Sequence, residues 1–540
     1  MPQLAAQRPP PADYYADNVR YLLTHVGEHH VDLLSAAEIQ FIDAVTRASI
    51  QAQRLFARVL SRKGPWIRLD KLHYLEVEDV TGSLAELSEL GIVEVNATAP
   101  ADALLGLLTQ PERVEVFPAI AVKGKTRWIE DCVSRYPDAA IRTRLRDSYP
   151  WVNLNQYESL RTCQLLFFGD DQQDMSAFVM KDLGLTRYED YSLQPAERLL
   201  KNREQLLSYL RFRRLSYLSH RVDEAADLAN WLSSSLWSSA ANRLEQRQKD
   251  RTLNRLGRWH ERRAEFDHAL NCYGRSLAHP GRERRVRLLT RLGDDEGATA
   301  LLDQIRAAPR SAEEEDFAER FQPHGKKRVA RVQIPTTDIR LIAPVEEAIE
   351  AHAAMRLSSN GTAAWHLENR FPLGIAGLAF WDEVFAPIPG AFVNPFQSAP
   401  IDLFWPDFIQ AREALLAAKL ERLTDPAVFA ATLRDTYAAK QGIANRLVSW
   451  RNFTEEVLDA VLTHIPHDTL LMLAHYVIRN LWRARTGFPD LLVIYGKGQF
   501  EFVEVKGPTD QLQPGQRVWF KFFREFDLPA RVLKFHLKPS

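Results

Sequence analysis

The chain has 540 residues, enough for three or four modules. Its composition, 46% hydrophobic and 26% charged, is that of a folded globular protein and excludes wholesale disorder. Lysine plus arginine number 69 and aspartate plus glutamate 70, a net charge of −1, which excludes a uniformly basic nucleic-acid binder but not one with segregated charge. Cys132, Cys163 and Cys272 are too few and too scattered for a disulfide framework or an all-cysteine zinc site, which fits a reducing compartment. The opening MPQLAAQRPPPADYYADN has no apolar signal core, and the apolar run at 470–478 is too short to span a bilayer. A cytoplasmic protein without membrane contact is expected.

In chain order, a Pro-rich lead ends near Asp13, and apolar positions from Ala16 to Leu60 recur at helical spacing. Trp66-Ile67-Arg68-Leu69 reads as a short strand, Leu84–Leu90 as a helix stopped by Gly91, and Ile92–Val95 as a second strand. Helices followed by a small hairpin predict a winged-helix-like unit. Residues 101–135 hold two short helices around Lys123-Gly124-Lys125-Thr126-Arg127-Trp128. Leu104, Leu107 and Leu108 give one apolar face, and Trp128, Ile129, Cys132 and Val133 the other. This resembles a SAP-type DNA-binding motif, in which Lys123, Lys125 and Arg127 would meet phosphates at a helix N-terminus. A helical hairpin with a solvated turn is the plainer alternative.

From about 190 to 305 the pattern is helical. Arg258-Trp259, Ala269-Leu270, Tyr273, Leu277 and Pro280 resemble one tetratricopeptide repeat, and Leu289 to Ile305 supplies a degenerate neighbour. One repeat cannot bury its own face, so flanking helical hairpins are expected to complete a solenoid. The region is dense in arginine. Arg211, Arg213 and Arg214 interleave with Tyr209, Phe212 and Tyr217, and further arginines run from Arg243 to Arg287. Solvated faces with ion pairs to Glu245, Asp250 and Glu261 would account for them. In a chain that is neutral overall, such segregation favours a surface that tracks phosphates. Residues 306–331 mix proline, an acidic run and a basic run, which reads as a domain boundary or an exposed connector. Beyond it 340–485 reads as helical, with Trp381, Phe385, Phe392, Phe396, Phe404, Trp405 and Phe408 as core candidates.

The chemistry concentrates in 487–506. Leu491 to Tyr495 and Gln499 to Val505 read as two strands joined by Gly496-Lys497-Gly498. Asp490 then starts one strand, Glu504 and Lys506 end the other, and the two ends of an antiparallel hairpin lie side by side. Glu504 and Lys506 share a face because strand side chains alternate with period two. Paired carboxylates suit Mg²⁺ or Mn²⁺, and the Val505 carbonyl could reach the same ion. Lys506 would orient or deprotonate a water, or neutralise charge growing on a phosphate. A surface hairpin with incidental charges would leave Glu504 without a reason in an apolar run.

Pro489-Asp490 followed by Glu504-Val505-Lys506 resembles the PD-(D/E)-x-K nucleases. The longer run from Gly487 through Phe502-Val503-Glu504-Val505-Lys506-Gly507-Pro508 to Gln516 resembles the virus-type replication-repair (VRR-NUC) nuclease domain, with Phe488 where a smaller or aliphatic residue is common. In that domain the helix after the hairpin often carries a glutamine near the active centre, which implies Gln516. Upstream, Glu368-Asn369-Arg370-Phe371-Pro372-Leu373-Gly374 through Trp381-Asp382, with Phe392, Asn394, Gln397, Pro400 and Asp402, is similar to a helical block of the Fanconi-associated nucleases. Leu55 to Lys63 with Trp66-Ile67 is similar to the start of that family's SAP-containing region.

This resemblance implies a further acidic ligand at Glu368 and a centre of Mg²⁺ or Mn²⁺, with two ions. Asp490 would hold both, Glu504 and Val505 one, and Glu368 the other. It also implies a structure-selective DNA nuclease that cuts 5′ flaps and branched DNA, degrades with 5′-to-3′ polarity and acts in interstrand-crosslink repair. The expected architecture is multi-domain and mainly α. A helical SAP-like region would cover 1–150, a tetratricopeptide-like region 151–330, and an α/β restriction-endonuclease-like VRR-NUC nuclease domain 331–540. A Holliday-junction resolvase of the same superfamily and a non-catalytic DNA-bound helical scaffold are the rival readings.

Overall fold

The structure is a computed structural model that describes residues 13–60, 62, 66–169, 186–223, 226–234, 239–323, 334–341, 348–358, 362–405 and 407–537. The chain divides into two compact units. One comprises 1–185 with 201–203, and the other 186–200 with 204–540. No helix among the described residues is long and apolar enough to cross a membrane.

The first unit opens with helices Tyr14–His29, Ala36–Arg47 and Ile50–Leu60. The second of these starts at a reciprocal cap, in which the Ser35 hydroxyl accepts from the Glu38 N–H and the Glu38 carboxylate accepts from the Ser35 N–H at 2.7 Å. Strands β1 (Trp66–Arg68) and β2 (Val93–Val95) form where the periodicity predicts them, but they do not pair as a hairpin. β3 (Trp151–Leu154) lies between them, antiparallel to both. The missed strand is only four residues long, and Trp151 and Val152 are buried by partners remote in sequence. In the segment 101–145 the apolar faces of the short helices merge into one core around Leu104, Leu105, Leu108, Trp128, Cys132 and Ile141. Val133 stays exposed, and so do Lys123, Lys125 and Arg127.

In the second unit, helices Arg243–Arg262, Phe266–Gly274, Gly281–Leu292 and Asp295–Ala307 pack in succession. Their buried residues include Leu253, Leu256, Trp259 and Cys272 in one cluster and Val286, Leu302 and Ile305 in the next. Much of the arginine density here turns inward. Arg284 pairs with Glu261, Arg282 with Glu314 at 2.5 Å, and Arg243 with Asp402 at 2.9 Å. Arg211 and Arg214 are exposed and Arg213 is half-buried on helix Arg203–Leu218.

The expected connector at 306–331 is largely structured. Ala312–Arg320 is a helix capped by Ser311, and its Glu314 and Asp316 are buried. Asp316 accepts from Arg517, and Glu315 pairs with Arg483 at 2.7 Å and Lys521 at 3.2 Å. An acidic run looks solvated when its cationic partners lie about two hundred residues further on. Residues 324–331 fall outside the described residues.

The C-terminal sheet has five strands in the order β4-β8-β7-β6-β5. β4 is Thr336–Leu341, β5 Ala363–His366, β6 Leu491–Gly496, β7 Gln499–Lys506 and β8 Ala530–Leu537. β5, β6 and β7 are successively antiparallel, whereas β8 runs parallel to both β7 and β4. β4 and β5 correct the helical reading of the region from 340. They are short, and β5 shows no apolar alternation, so neighbouring strands rather than local pattern set them. Ala353, Leu491, Val493, Val503, Val505 and Leu533 form the core on one face. The opposite face packs Leu492, Phe500 and Phe502 against Trp519 and Phe523 of helix Pro514–Glu525 and Phe371 of helix Arg370–Ala379. Trp381, Phe385, Phe392 and Phe408 belong to this larger core, as their density suggests.

Candidate active site

The site grows from one end of the β6–β7 hairpin. Leu491 stands opposite Val503, so one residue further along the same register Asp490 comes opposite Glu504. The positions share a face by the two-residue repeat, together with Lys506. The Val505 N–H, between those two, donates to Asp490 Oδ2 at 2.7 Å. The entry to β6 is fixed by Gly487, whose φ is +90°. A Cβ there would meet Gly515 C at 2.4 Å, so the loop can seat on the start of helix Pro514–Glu525 only as glycine. Phe488 is buried among Phe371, Phe502, Trp519 and Phe523, which accounts for a large ring at that position.

Glu368 reaches the site through backbone pairing across β5. The N–H groups of Leu367 and Glu368 both donate to the Asp490 carbonyl at 3.0 Å. Glu368 has φ +47°, a left-handed conformation that costs a non-glycine residue roughly 1–2 kcal/mol. Asn369 secures the bend, its Oδ1 accepting from the Phe488 N–H at 2.9 Å. Thus the 122-residue separation in sequence closes through three strand-end hydrogen bonds. The Glu368 carboxylate is held by His366 Nε2 at 3.0 Å and Arg370 at 3.6 Å.

Glu504 is 1% exposed. Its Oε1 meets Lys506 Nζ at 2.7 Å and accepts from Gln516 Nε2 at 2.5 Å, while Oε2 is buried with no hydrogen-bond partner. Gln516 is positioned by the helix start, its Oε1 accepting from the Gln513 N–H at 2.8 Å. Burial first, then the negative charge of Asp490, pushes the Glu504 carboxyl up to about 8. Burial also raises Asp490, against the Val505 N–H and Lys506, and the carboxylate of Glu350 adds to that rise. Two carboxylates facing each other in a low-dielectric pocket, one with an orphan oxygen, fit a divalent cation. An all-oxygen donor set at this density favours a hard ion and is costly without one.

Asp490, Glu504, Lys506, Gln516 and Glu368 are therefore brought together. Val505 enters the site through its N–H. Lys123, Lys125 and Arg127 belong to the first unit, and Arg211 and Arg214, with Arg213, to a helix of the second. Two residues escaped the sequence reading. His366, Glu368 and Asp490 each offer a ligand atom within 4.8 Å of the others, and Glu350 adds its charge from helix Ile349–Leu357. A signal for His366 was present, since a histidine two residues before a candidate ligand shares its face in an extended segment. Glu350 carried none.

Comparison with known proteins places the chain in a family. Residues 13–94 match the family "FAN1, HTH domain" and residues 426–536 the family "VRR-NUC domain". The Fanconi-associated nuclease 1 homolog of Pseudomonas aeruginosa is 31% identical over 535 residues, covering 96% of this chain and 95% of that protein. This chain belongs to the Fanconi-associated nuclease family. The homolog of Arabidopsis thaliana is 24% identical, over 98% of this chain and 67% of its own. Among solved structures, paFAN1 bound to 2nt 5′ flap DNA with gap superposes with a TM-score of 0.85 at 30% identity, covering 99% of this chain and 100% of that one. A second paFAN1 complex, with 1nt 5′ flap DNA, gives 0.82 at 28% identity, covering 98% and 100%. As a member of the Fanconi-associated nucleases the chain is a DNA nuclease that depends on a divalent metal, and Asp490, Glu504 and Lys506 fall inside its VRR-NUC domain.

Proposed function

We propose that this nuclease hydrolyses phosphodiester bonds beside a 5′ flap or branch, also degrades with 5′-to-3′ polarity, and serves in repair that includes interstrand crosslinks. The observation that carries the reading is the Asp490–Glu504 pair, with Glu504 buried and its unpartnered oxygen beside Lys506. Asp490, Glu504, Glu368 and the Val505 carbonyl would hold Mg²⁺ or Mn²⁺, two ions when substrate is present. Such ions, when bound, neutralise phosphate charge and make a water acidic enough to attack. The protein's own groups do the rest. Gln516 holds the Glu504 carboxylate in one orientation, and Lys506 supplies positive charge where the pentavalent phosphate becomes more negative.

The segments 1–150 and 151–330 would grip duplex arms, with Lys123, Lys125 and Arg127 in the first and Arg211, Arg213 and Arg214 in the second. Branch choice would then come from shape rather than base reading. Such an enzyme would work in the cytoplasm, at the nucleoid. The test is digestion of end-labelled 5′-flap, 3′-flap, splayed-arm, nicked and four-way DNA with Mg²⁺ and with Mn²⁺. Preferential, metal-dependent cutting of the 5′ flap is expected. Preference for the four-way junction would identify a resolvase, and no cleavage with any substrate a scaffold.

A further inference from the structure

We propose that His366 is a nitrogen ligand of the nuclease metal centre, and that it tilts that centre's selectivity from Mg²⁺ toward Mn²⁺. The inference rests on the reading of the Asp490–Glu504–Glu368 edge as a cation site and adds a donor of different chemistry to it.

His366 is the last residue of β5, where its pairing with Leu491 aligns it with the strand end that presents Asp490. Nε2 lies 3.0 Å from Glu368 Oε1, and one ligand atom from each of His366, Glu368 and Asp490 falls within 4.8 Å of the others. Metal–ligand bonds of roughly 2.0–2.3 Å put two donors to a shared ion at most about 4.5 Å apart, so small side-chain rotations suffice. The left-handed turn at Glu368 is what folds its carboxylate back toward His366 and Asp490. A second feature points to a cation beside Asp490, the buried and unpartnered Oε2 of Glu504 on the facing strand.

The His366 ring and the Glu368 carboxylate both stay more than one-third exposed, whereas Glu504 is buried. Arg370 already stands on the other oxygen of Glu368, so that carboxylate has a cationic partner without the imidazole.

The selectivity follows from donor chemistry. Mg²⁺ holds its waters tightly and prefers oxygen in strict octahedral geometry, whereas Mn²⁺ accepts an imidazole nitrogen with little loss. Replacing one oxygen position by nitrogen therefore penalises Mg²⁺ relative to Mn²⁺.

The experiment loads the full-length chain with substoichiometric Mn²⁺, without DNA, and reads nitrogen coupling to the ion by electron spin echo modulation. The parent is compared with His366→Ala and Asp490→Ala, each checked for folding by circular dichroism. Competition with Mg²⁺ gives the affinity ratio. A ¹⁴N coupling is expected in the parent and not in His366→Ala. That variant should bind Mn²⁺ about tenfold more weakly while its Mg²⁺ affinity changes less than about twofold. A parent that binds Mn²⁺ without nitrogen coupling overturns the proposal, and so does a coupling that survives in His366→Ala. Equal Mn²⁺ binding by the parent and Asp490→Ala would instead overturn the cation site itself, and the role of His366 with it.

Discussion

Two buried clusters of charge in the second unit make opposite use of the same residue types. Around Asp402, Arg412 Nη1 lies 2.8 Å from Oδ2, Arg243 Nη1 lies 2.9 Å from that same oxygen, and Arg412 Nη2 lies 3.5 Å from Oδ1. Arg412 also donates to the Glu383 carbonyl at 3.0 Å and stacks over Phe408. One carboxylate there meets two guanidinium groups. Around Glu504 the balance is reversed, with two facing carboxylates, one ammonium group and an oxygen left without a partner. In the first cluster both oxygens of the carboxylate face guanidinium nitrogens, which closes it around Asp402 and ties helix Asp407–Leu423 to its surroundings. The second is open by one cation. A buried charge is tolerable when its neighbours complete it, so the incomplete cluster marks the place where something else binds.

The comparison can be broken most sharply at its acidic centre. Asp490→Ala should lower cleavage by on the order of a thousandfold or more with either Mg²⁺ or Mn²⁺, with DNA affinity nearly unchanged, because phosphate contacts elsewhere supply most of the binding. Measurable turnover by the pure variant would remove Asp490 from the chemistry. The closed cluster should respond in the opposite currency. Asp402→Ala strands Arg412 in the interior and should cost about 3–5 kcal/mol of stability, read from the urea midpoint. Its activity per folded molecule should be kept.

Lys506→Ala removes charge but keeps both carboxylates, and should slow single-turnover cleavage of a 5′ flap by roughly a hundredfold to a thousandfold. Lys506→Arg should not restore the parent rate, since a planar guanidinium cannot take the compact position of an ammonium. A parental rate in Lys506→Ala would assign the lysine to the fold alone.

The raised Glu504 carboxyl gives the open cluster a pH signature. The folded chain holds that proton more tightly than the unfolded chain does. Without metal, stability should therefore fall as pH rises from the ordinary carboxylate range through about 8. Added Mg²⁺ should raise the melting temperature more at pH 8 than at pH 6, and Glu504→Gln should flatten both trends. An unchanged slope in that variant would place the titration elsewhere. The smallest effect is expected from the arginines of helix Arg203–Leu218, two exposed and one half-buried. Reversing Arg211, Arg213 and Arg214 to Glu should weaken binding to every DNA substrate and reduce its salt slope, and a salt titration that superposes on the parent's would return them to a solvated face.

The sequence by itself determined the hairpin and its chemistry. Alternation in Phe502-Val503-Glu504-Val505-Lys506 and the glycine turn before it are local properties, and they suffice to bring Asp490, Glu504 and Lys506 to one edge. Glu368 was legible only through family resemblance, because its arrival depends on backbone pairing between β5 and the start of β6. Tertiary structure alone decided the rest. It inserted β3 between β1 and β2, turned an acidic connector into the helix that neutralises Arg517, and brought the end of β5 with His366 to the Asp490 end of β6. The physical reason is the same in each case. A strand is held by hydrogen bonds and a charge by a counter-charge, and when the partner lies tens or hundreds of residues away, no local window contains the information.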